Sequence, residues 1–309
     1  MDREVNTSVT LGDIKVKNPV MNACGTMGYG EEFAELVNLK ELGAIIPKTI
    51  TLNPRVGVFQ HRFIEIGGCA DLRTQGLPNV GVDRFIKTKL PYLLQIGIPV
   101  IVNTWALTID EHVRLIETLN KEKGIAGFEV ASTCPNIVEE RARASSWDPE
   151  ETFRLIRAIK DVTDLSIISK SPTNVSITSF AKAAEDGGAD AFHVQAGLLG
   201  LAIDINTRRS KLGDNFIVAL GGPWLMPSTV RMVWQAAQVV KIPILASGGI
   251  TCAEDALQCL IAGATAVQIG THNFIEPEAT TKTIAGIKDF LIDNEIDSIH
   301  DIIGSLMVS

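Results

Sequence analysis

The sequence predicts an α/β protein of the (β/α)₈ barrel class. Three observations carry this expectation. Eight short apolar, β-branched runs recur along 309 residues, most of them followed by an amphipathic helical stretch. The runs are continuously apolar, which suits parallel strands covered on both faces, and doubly wound sheets typically have fewer strands. No Pro-, Gly- or Ser-rich linker and no shift in composition divides the chain, so residues 1–309 read as a single domain.

In chain order, Val5–Val16 alternates around Leu11-Gly12-Asp13 and reads as a hairpin placed to plug the bottom of a barrel. The strand runs are Asn18–Cys24, Gly43–Thr51, Pro99–Trp105, Gly127–Thr133, Leu165–Lys170, Ala191–Gln195, Ile242–Ser247 and Ala266–Thr271. Between them, helical periodicity marks Glu31–Leu42, Ile109–Lys121, Glu150–Val162, Thr178–Asp186, Ser228–Val240 and Ala253–Ala262. Asp148-Pro149-Glu150-Glu151 offers an N-cap, a first-turn proline and a capping-box glutamate. Thr251-Cys252-Ala253-Glu254 repeats that logic, and Pro227 and Pro277 open two further helices. Cys259 shares an apolar stripe with Ala256 and Leu260, which places it in the core. Asn53–Val82, Pro135–Trp147 and Leu198–Met226 are long excursions without strong periodicity, the kind that serve as lids in compact enzymes.

Composition narrows the function classes. Hydrophobic residues make up 46% and charged residues 21%, a globular balance. With 28 Lys+Arg against 36 Asp+Glu the net charge is −8, which speaks against nucleic acid or an anionic membrane surface as the main partner. No segment approaches the roughly 20 apolar residues of a membrane span, and MDREVNTSVT contains no apolar signal core. A cytoplasmic location is expected. The five cysteines form no C-x-x-C pair and are odd in number, which disfavours a disulfide framework, a zinc site or an iron–sulfur cluster in this chain. The five histidines show no metal-ligand spacing and read as ordinary core or surface residues, so no metal is expected.

A barrel keeps its chemistry at the C-terminal ends of its strands. Here those ends are Cys24, Lys48, Asn103, Cys134, Lys170, Gln195, Ser247-Gly248-Gly249 and Gly270-Thr271. Two lysines, two cysteines and amide side chains therefore converge on one mouth. The glycine turns after the last two strands occupy the units that commonly bind phosphate through backbone amides. Phosphate alone does not separate a flavin mononucleotide from a sugar phosphate. In Ser132-Thr133-Cys134-Pro135-Asn136 an apolar strand enters a proline turn, and near two cations the Cys134 thiolate can act as nucleophile or general base. Lys170 suits either a Schiff-base amine or a fixed cation for an anionic cofactor.

Taken together these stretches resemble the class 1 dihydroorotate dehydrogenases, the class 1B catalytic subunit in particular, over nearly the whole chain. The resemblance rests on Lys17-Asn18-Pro19-Val20, Ala23-Cys24-Gly25, Gly30-Glu31-Glu32, Lys48-Thr49, Thr51-Leu52, Gly76-Leu77, Cys134-Pro135-Asn136, Asp204 with Thr207-Arg208, Gly248-Gly249 and Gly270-Thr271-His272-Asn273-Phe274. It implies FMN held by Cys24, Lys48, Thr49, Asn103, Lys170, Gly222, Gly248, Gly249, Gly270 and Thr271. It further implies a catalytic base at Cys134 assisted by Lys48, and interconversion of dihydroorotate and orotate in pyrimidine metabolism. Substrate positions fall on Lys48, Arg73, Gly76, Leu77, Asn79 and Gln195. An electron-transfer subunit carrying FAD and an iron–sulfur cluster is implied as partner, and a homo-oligomer is expected.

The departures from the family pattern cluster at the substrate. Ala131 stands three residues before Cys134 where the family has Asn; Ala196-Gly197 replaces Asn-Thr or Asn-Ser; and Arg73 replaces the Asn that opens Asn-x-x-Gly-Leu. Each lost amide removes hydrogen bonds at roughly 1–3 kcal/mol per buried group left unpaired. An arginine can instead meet a carboxylate bidentately. The alternative is thus an FMN enzyme of the same kind acting on a different cyclic or enone substrate. Outside the flavin class, an aldolase or isomerase using Lys170, or a non-catalytic binding barrel, also fits the residues. A tRNA-modifying flavin barrel is disfavoured by the acidic charge.

Overall fold

The computed structural model describes residues 3–58, 62–67, 70–132, 148–173, 175–214 and 216–307. The chain opens with the expected hairpin, β1 (Val9–Leu11) against β2 (Ile14–Val16), turning at Gly12 with φ +62°. It is followed by β3 (Val20–Asn22), then by β4 (Phe63–Glu65) and β5 (Asp71–Arg73). A helical stretch of α1 (Val82–Arg84), a π turn and α2 (Leu90–Gln95) leads to β6 (Val100–Thr104) and α3 (Ile109–Leu119). Next come β7 (Ile125–Ala131), α4 (Pro149–Lys160), β8 (Ser166–Lys170), α5 (Ile177–Asp186) and β9 (Ala191–Gln195). The excursion Leu198–Met226 holds β10 (Leu198–Gly200), β11 (Ile203–Asp204), β12 (Arg209–Ser210) and β13 (Val218–Gly221). The chain finishes with α6 (Met226–Ala237), β14 (Ile244–Ser247), α7 (Ala253–Ala262), β15 (Ala266–Ile269) and α8 (Ala279–Asp293).

The central sheet is parallel and runs β3-β15-β14-β9-β8-β7-β6. The gap between β3 and β6 is filled by 43–51, which closes the (β/α)₈ barrel. Gly43 donates its N–H to the Val20 carbonyl at 2.9 Å on one side, and Ile45 and Ile50 donate to Pro99 and Asn103 at 2.9 and 2.8 Å on the other. This run was expected to be a strand. It makes only isolated bridges, Ile45 to Val100 and Ile50 to Thr104, because Pro47 has no N–H to give the ladder.

The hairpin plugs the N-terminal end of the barrel. Val9, Leu11, Ile14 and Val16 are buried, and the Asp13 N–H donates to Ser166 Oγ at 2.9 Å at the start of β8. Only glycine fits the turn, because a Cβ on Gly12 would lie 2.7 Å from Asp190 Cβ and Ser166 Oγ. The strands and the inner helix faces form one large hydrophobic cluster around Phe85, Phe128 and Phe192, and Cys259 lies within it. Burial pushes the Cys259 thiol up to about 12.

Helix starts obey local chemistry. Asp148 accepts from the Glu151 N–H at 2.9 Å with Pro149 in the first turn. An Asp148→Ala variant is expected to lose about 1 kcal/mol of stability, read as a lower urea midpoint with an unchanged slope. The second cap differs from expectation. Cys252, not Thr251, is the N-cap residue of α7, and Asp255 rather than Glu254 reaches back to accept from the Thr251 N–H and Oγ at 2.9 and 2.7 Å. The expected helix Glu31–Leu42 is also absent. Short 3₁₀ turns at Glu31–Phe33 and Leu39–Glu41 stand there, because Glu32 bonds back to the Tyr29 N–H and Asn38 to the Lys40 N–H.

The two excursions outside the barrel find each other. β10, β13, β5 and β4 make an antiparallel sheet that joins residues far apart in the chain, Ala219 opposite Arg73 and Leu220 opposite Leu72. It lies over the C-terminal mouth of the barrel as a lid. The remaining excursion, Pro135–Trp147, lies outside the described residues.

Candidate active site

A cavity of about 250 Å³ opens at the C-terminal ends of the barrel strands, beneath the lid sheet. Its wall includes Cys24, Lys48, Thr49, Asn103, Lys170, Gly222, Gly248, Gly249, Gly270 and Thr271. Arg73, Leu77 and Gln195 line it as well. Gly76 and Asn79 are not among its lining residues. The Asn79 amide is engaged in structure: its Oδ1 accepts from the Gly81 N–H at 2.9 Å, and its Nδ2 donates to the Leu77 carbonyl and Thr51 Oγ1, both at 2.9 Å. Cys134 lies outside the described residues; β7 ends at Ala131, and the hydroxyl of the following Ser132 donates to the Lys170 carbonyl at 3.3 Å.

The floor is a buried polar network that sequence reasoning missed. Glu129, in the middle of β7, is 0% exposed. Its Oε1 accepts from Lys170 Nζ at 3.2 Å and Asn103 Nδ2 at 2.6 Å; its Oε2 accepts from His193 Nδ1 at 2.8 Å and from Gln268. His193 Nε2 continues to Ser247 Oγ at 2.8 Å. Each of these side chains comes from a different barrel strand. The signal was present in the sequence: a Glu, a His and a Gln inside otherwise apolar runs, where an unpaired buried charge costs too much to be accidental. His193, expected to be ordinary, is a link in this chain.

Electrostatics fix the protonation states. Burial pushes the Glu129 carboxyl up, but Lys170 and His193 outweigh it and hold it well below the usual carboxylate range. Burial likewise pushes the Lys170 amine down, and contact with Cys24 Sγ at 3.4 Å and with Glu129 more than restores it, so the ammonium stays charged. Lys170 is thus a locked cation at the edge of the cavity. A Schiff-base role would need a free amine, which this pairing opposes.

The glycine turns line the same cavity. Gly222, Gly248 and Gly249 have φ of +137°, +122° and +80°. A Cβ on Gly248 would lie 2.3 Å from the Ala196 carbonyl, and one on Gly249 would lie 2.6 Å from the Met226 nitrogen that opens α6. A Cβ on Gly270 would make only ordinary contact, 3.5 Å from Ala23 Cβ. Positive-φ glycines beside the first N–H groups of a helix make a cradle for a phosphate ester. A Gly249→Ala variant is expected to lose retention of a phosphorylated cofactor, with a drop in bound ligand per mole on purification.

Above the cavity, Arg73 Nε meets Asp71 Oδ1 at 2.6 Å, and burial raises the Asp71 carboxyl against the pull of Arg73 and Thr271. Gly221 has no side chain to spare here, since a Cβ would stand 2.5 Å from Arg73 Nη2 and 2.9 Å from Thr271 Oγ1.

The family model for dihydroorotate dehydrogenase matches residues 6–291. The chain belongs to the dihydroorotate dehydrogenase family. It is 43% identical over 305 residues to the protein named dihydroorotate dehydrogenase B (NAD(+)), catalytic subunit, of Thermoanaerobacter sp. strain X514, covering 98% of this chain and 100% of the relative. It is 41% identical to the same-named proteins of Geotalea uraniireducens, over 301 residues, and Geobacter metallireducens, over 302 residues. In both cases 97% of this chain and 98% of the relative are covered. Within the dihydroorotate dehydrogenase family, the barrel mouth built from Lys48, Lys170 and the glycine turns is this chain's candidate site. No helix among the described residues is long and apolar enough to cross a membrane.

Proposed function

We propose that this protein is an FMN-dependent oxidoreductase that interconverts dihydroorotate and orotate. The observation that carries the reading is one cavity lined both by Lys170, held as a cation by Glu129, and by a cradle of positive-φ glycines suited to phosphate. Asn103 supports the fit to a flavin. Its Nδ2 is committed to Glu129, and its buried Oδ1 has no hydrogen-bond partner among the described residues, so it offers an acceptor to an imide N–H.

When bound, FMN supplies the two-electron acceptor for the substrate's ring hydride. The chain's own residues do the rest. Gly222, Gly248, Gly249, Gly270 and Thr271 would hold its phosphate, and Lys170 would supply a fixed positive charge beside its ring system. Lys48 and Arg73 give the cavity two cations for a substrate carboxylate. Gln195 supplies an amide at the wall beside Ala196, where the family pattern has its own. The Cys134 thiolate takes the proton from the neighbouring ring carbon, and the lid sheet keeps water from the site.

We place reoxidation on a partner. The relatives are named catalytic subunits of an NAD(+) enzyme, and a second subunit with FAD and an iron–sulfur cluster fits that role, the cluster residing on the partner. The excursion Leu198–Met226 exposes Leu201, Ile203, Ile205, Phe216 and Ile217 beside the lid, a surface suited to such docking. We also read the chain as one domain, since a single principal core cluster spans the described residues, and we place it in the cytoplasm.

The test is anaerobic addition of dihydroorotate to the purified yellow protein. Bleaching of the flavin band, reversed by orotate, is expected. A flavin that stays oxidised overturns the substrate, and a colourless protein that takes up no riboflavin phosphate overturns the cofactor.

A further inference from the structure

The polarity of the cavity floor is set from below by one carboxylate. Glu129 is ionised and can only accept, so the His193 nitrogen facing it, Nδ1, carries a proton. His193 is fully buried, and burial keeps its ring neutral, which leaves Nε2 as a lone pair. Ser247 Oγ lies 2.8 Å from that nitrogen. A hydroxyl has one proton, and here it is spent on Nε2. Ser247 is 7% exposed, lines the cavity and pairs with Gln195 across the strands, immediately before the glycine cradle. Its remaining lone pairs can receive a bond from a ligand, and its proton cannot be given to one.

We propose that Ser247 contacts the bound flavin as a hydrogen-bond acceptor, and that the Glu129–His193 pair is a positioning device that holds its hydroxyl in that sense. The inference rests on the flavin reading above. The complementary ligand group is a donor: a hydroxyl of the flavin's ribityl chain or an N–H of its ring. Asn103 Oδ1, turned outward by the same carboxylate, presents the same polarity on the neighbouring part of the floor. The network thus selects a ligand that brings donors to the floor and negative charge to Lys170.

The experiment is titration of the flavin-stripped protein with riboflavin, and with lumiflavin, which lacks the ribityl chain, followed by flavin fluorescence quenching. Ser247→Ala is expected to weaken riboflavin binding by roughly five- to tenfold, the effect of one neutral hydrogen bond; its unfolding midpoint falls somewhat because the buried His193 Nε2 loses its donor, so affinity is read where circular dichroism shows the variant fully folded. A loss seen with both flavins assigns the donor to the ring, and a loss confined to riboflavin assigns it to the chain; either supports the proposal. In a His193→Phe background, Ser247→Ala is expected to have little further effect, whereas a purely structural histidine would leave the serine's contribution intact. Should His193→Phe not fold, the Ser247→Ala comparison decides alone. Unchanged affinity for both flavins in Ser247→Ala overturns the proposal and leaves the flavin reading standing. A parent protein that binds neither flavin nor FMN fails that reading first.

Discussion

A Lys170→Met variant is expected to be both less stable and nearly inactive. Lys170 Nζ sits 3.2 Å from Glu129 Oε1, with the two side chains 7% and 0% exposed. Removing the ammonium leaves the carboxylate buried with neutral donors only, Asn103, His193 and Gln268. Breaking one side of a buried ion pair in this way costs on the order of 3–5 kcal/mol, which a urea titration reads directly. Turnover should fall by roughly 10²–10³-fold, because the cation that offsets charge on the reduced flavin is gone. The second substitution Glu129→Gln in the same chain should restore most of the stability and none of the turnover. Recovery of both would mean that the lysine serves packing alone, and loss of neither would remove it from the site.

Cys134→Ser is expected to leave the flavin bound and slow its reduction by dihydroorotate by roughly 10²–10⁴-fold, the usual contribution of a positioned general base. A serine hydroxyl is far harder to ionise than a thiol, so the residual rate should rise with pH beyond the parent's optimum. Stopped-flow reduction at equal flavin content separates this from a binding defect. A rate within a few-fold of the parent would assign proton removal to another group. Cys134 itself lies outside the described residues, and the case for it is its place in Ser132-Thr133-Cys134-Pro135-Asn136 at the end of a barrel strand.

The barrel was legible because its strands and helices repeat with different periods, and each unit closes on local contacts. The capping residues at Asp148, the turn at Gly12 and the glycines at 248 and 249 were readable for the same reason: their chemistry is contained within a few neighbouring positions. Failures occurred where a local signal met a competing one. Pro47 interrupts a run whose side chains are otherwise those of a strand, and Glu32 and Asn38 satisfy backbone groups that a helix over Glu31–Leu42 would have used. The stretch from Val82 to Gln95 escaped notice because Pro91 interrupts its pattern, although it sits harmlessly near the start of α2.

The candidate site divides along the same line. The amino-acid order by itself determined the ring of strands, the position of Lys48, Lys170 and the glycine turns at one end of it, and the family to which the chain belongs. Only the tertiary structure decided that Glu129, His193, Ser247, Gln268 and Asn103 form one hydrogen-bonded floor, that Asp71 holds Arg73, and that the two excursions join into a lid. The reason is distance along the chain. Glu129 and Gln268 are separated by 139 positions and meet because adjacent and opposite strands of a closed barrel turn their inward side chains to a common axis. A period of two or of 3.6 residues carries no record of which distant strand lies across that axis, and closure of the barrel supplies it.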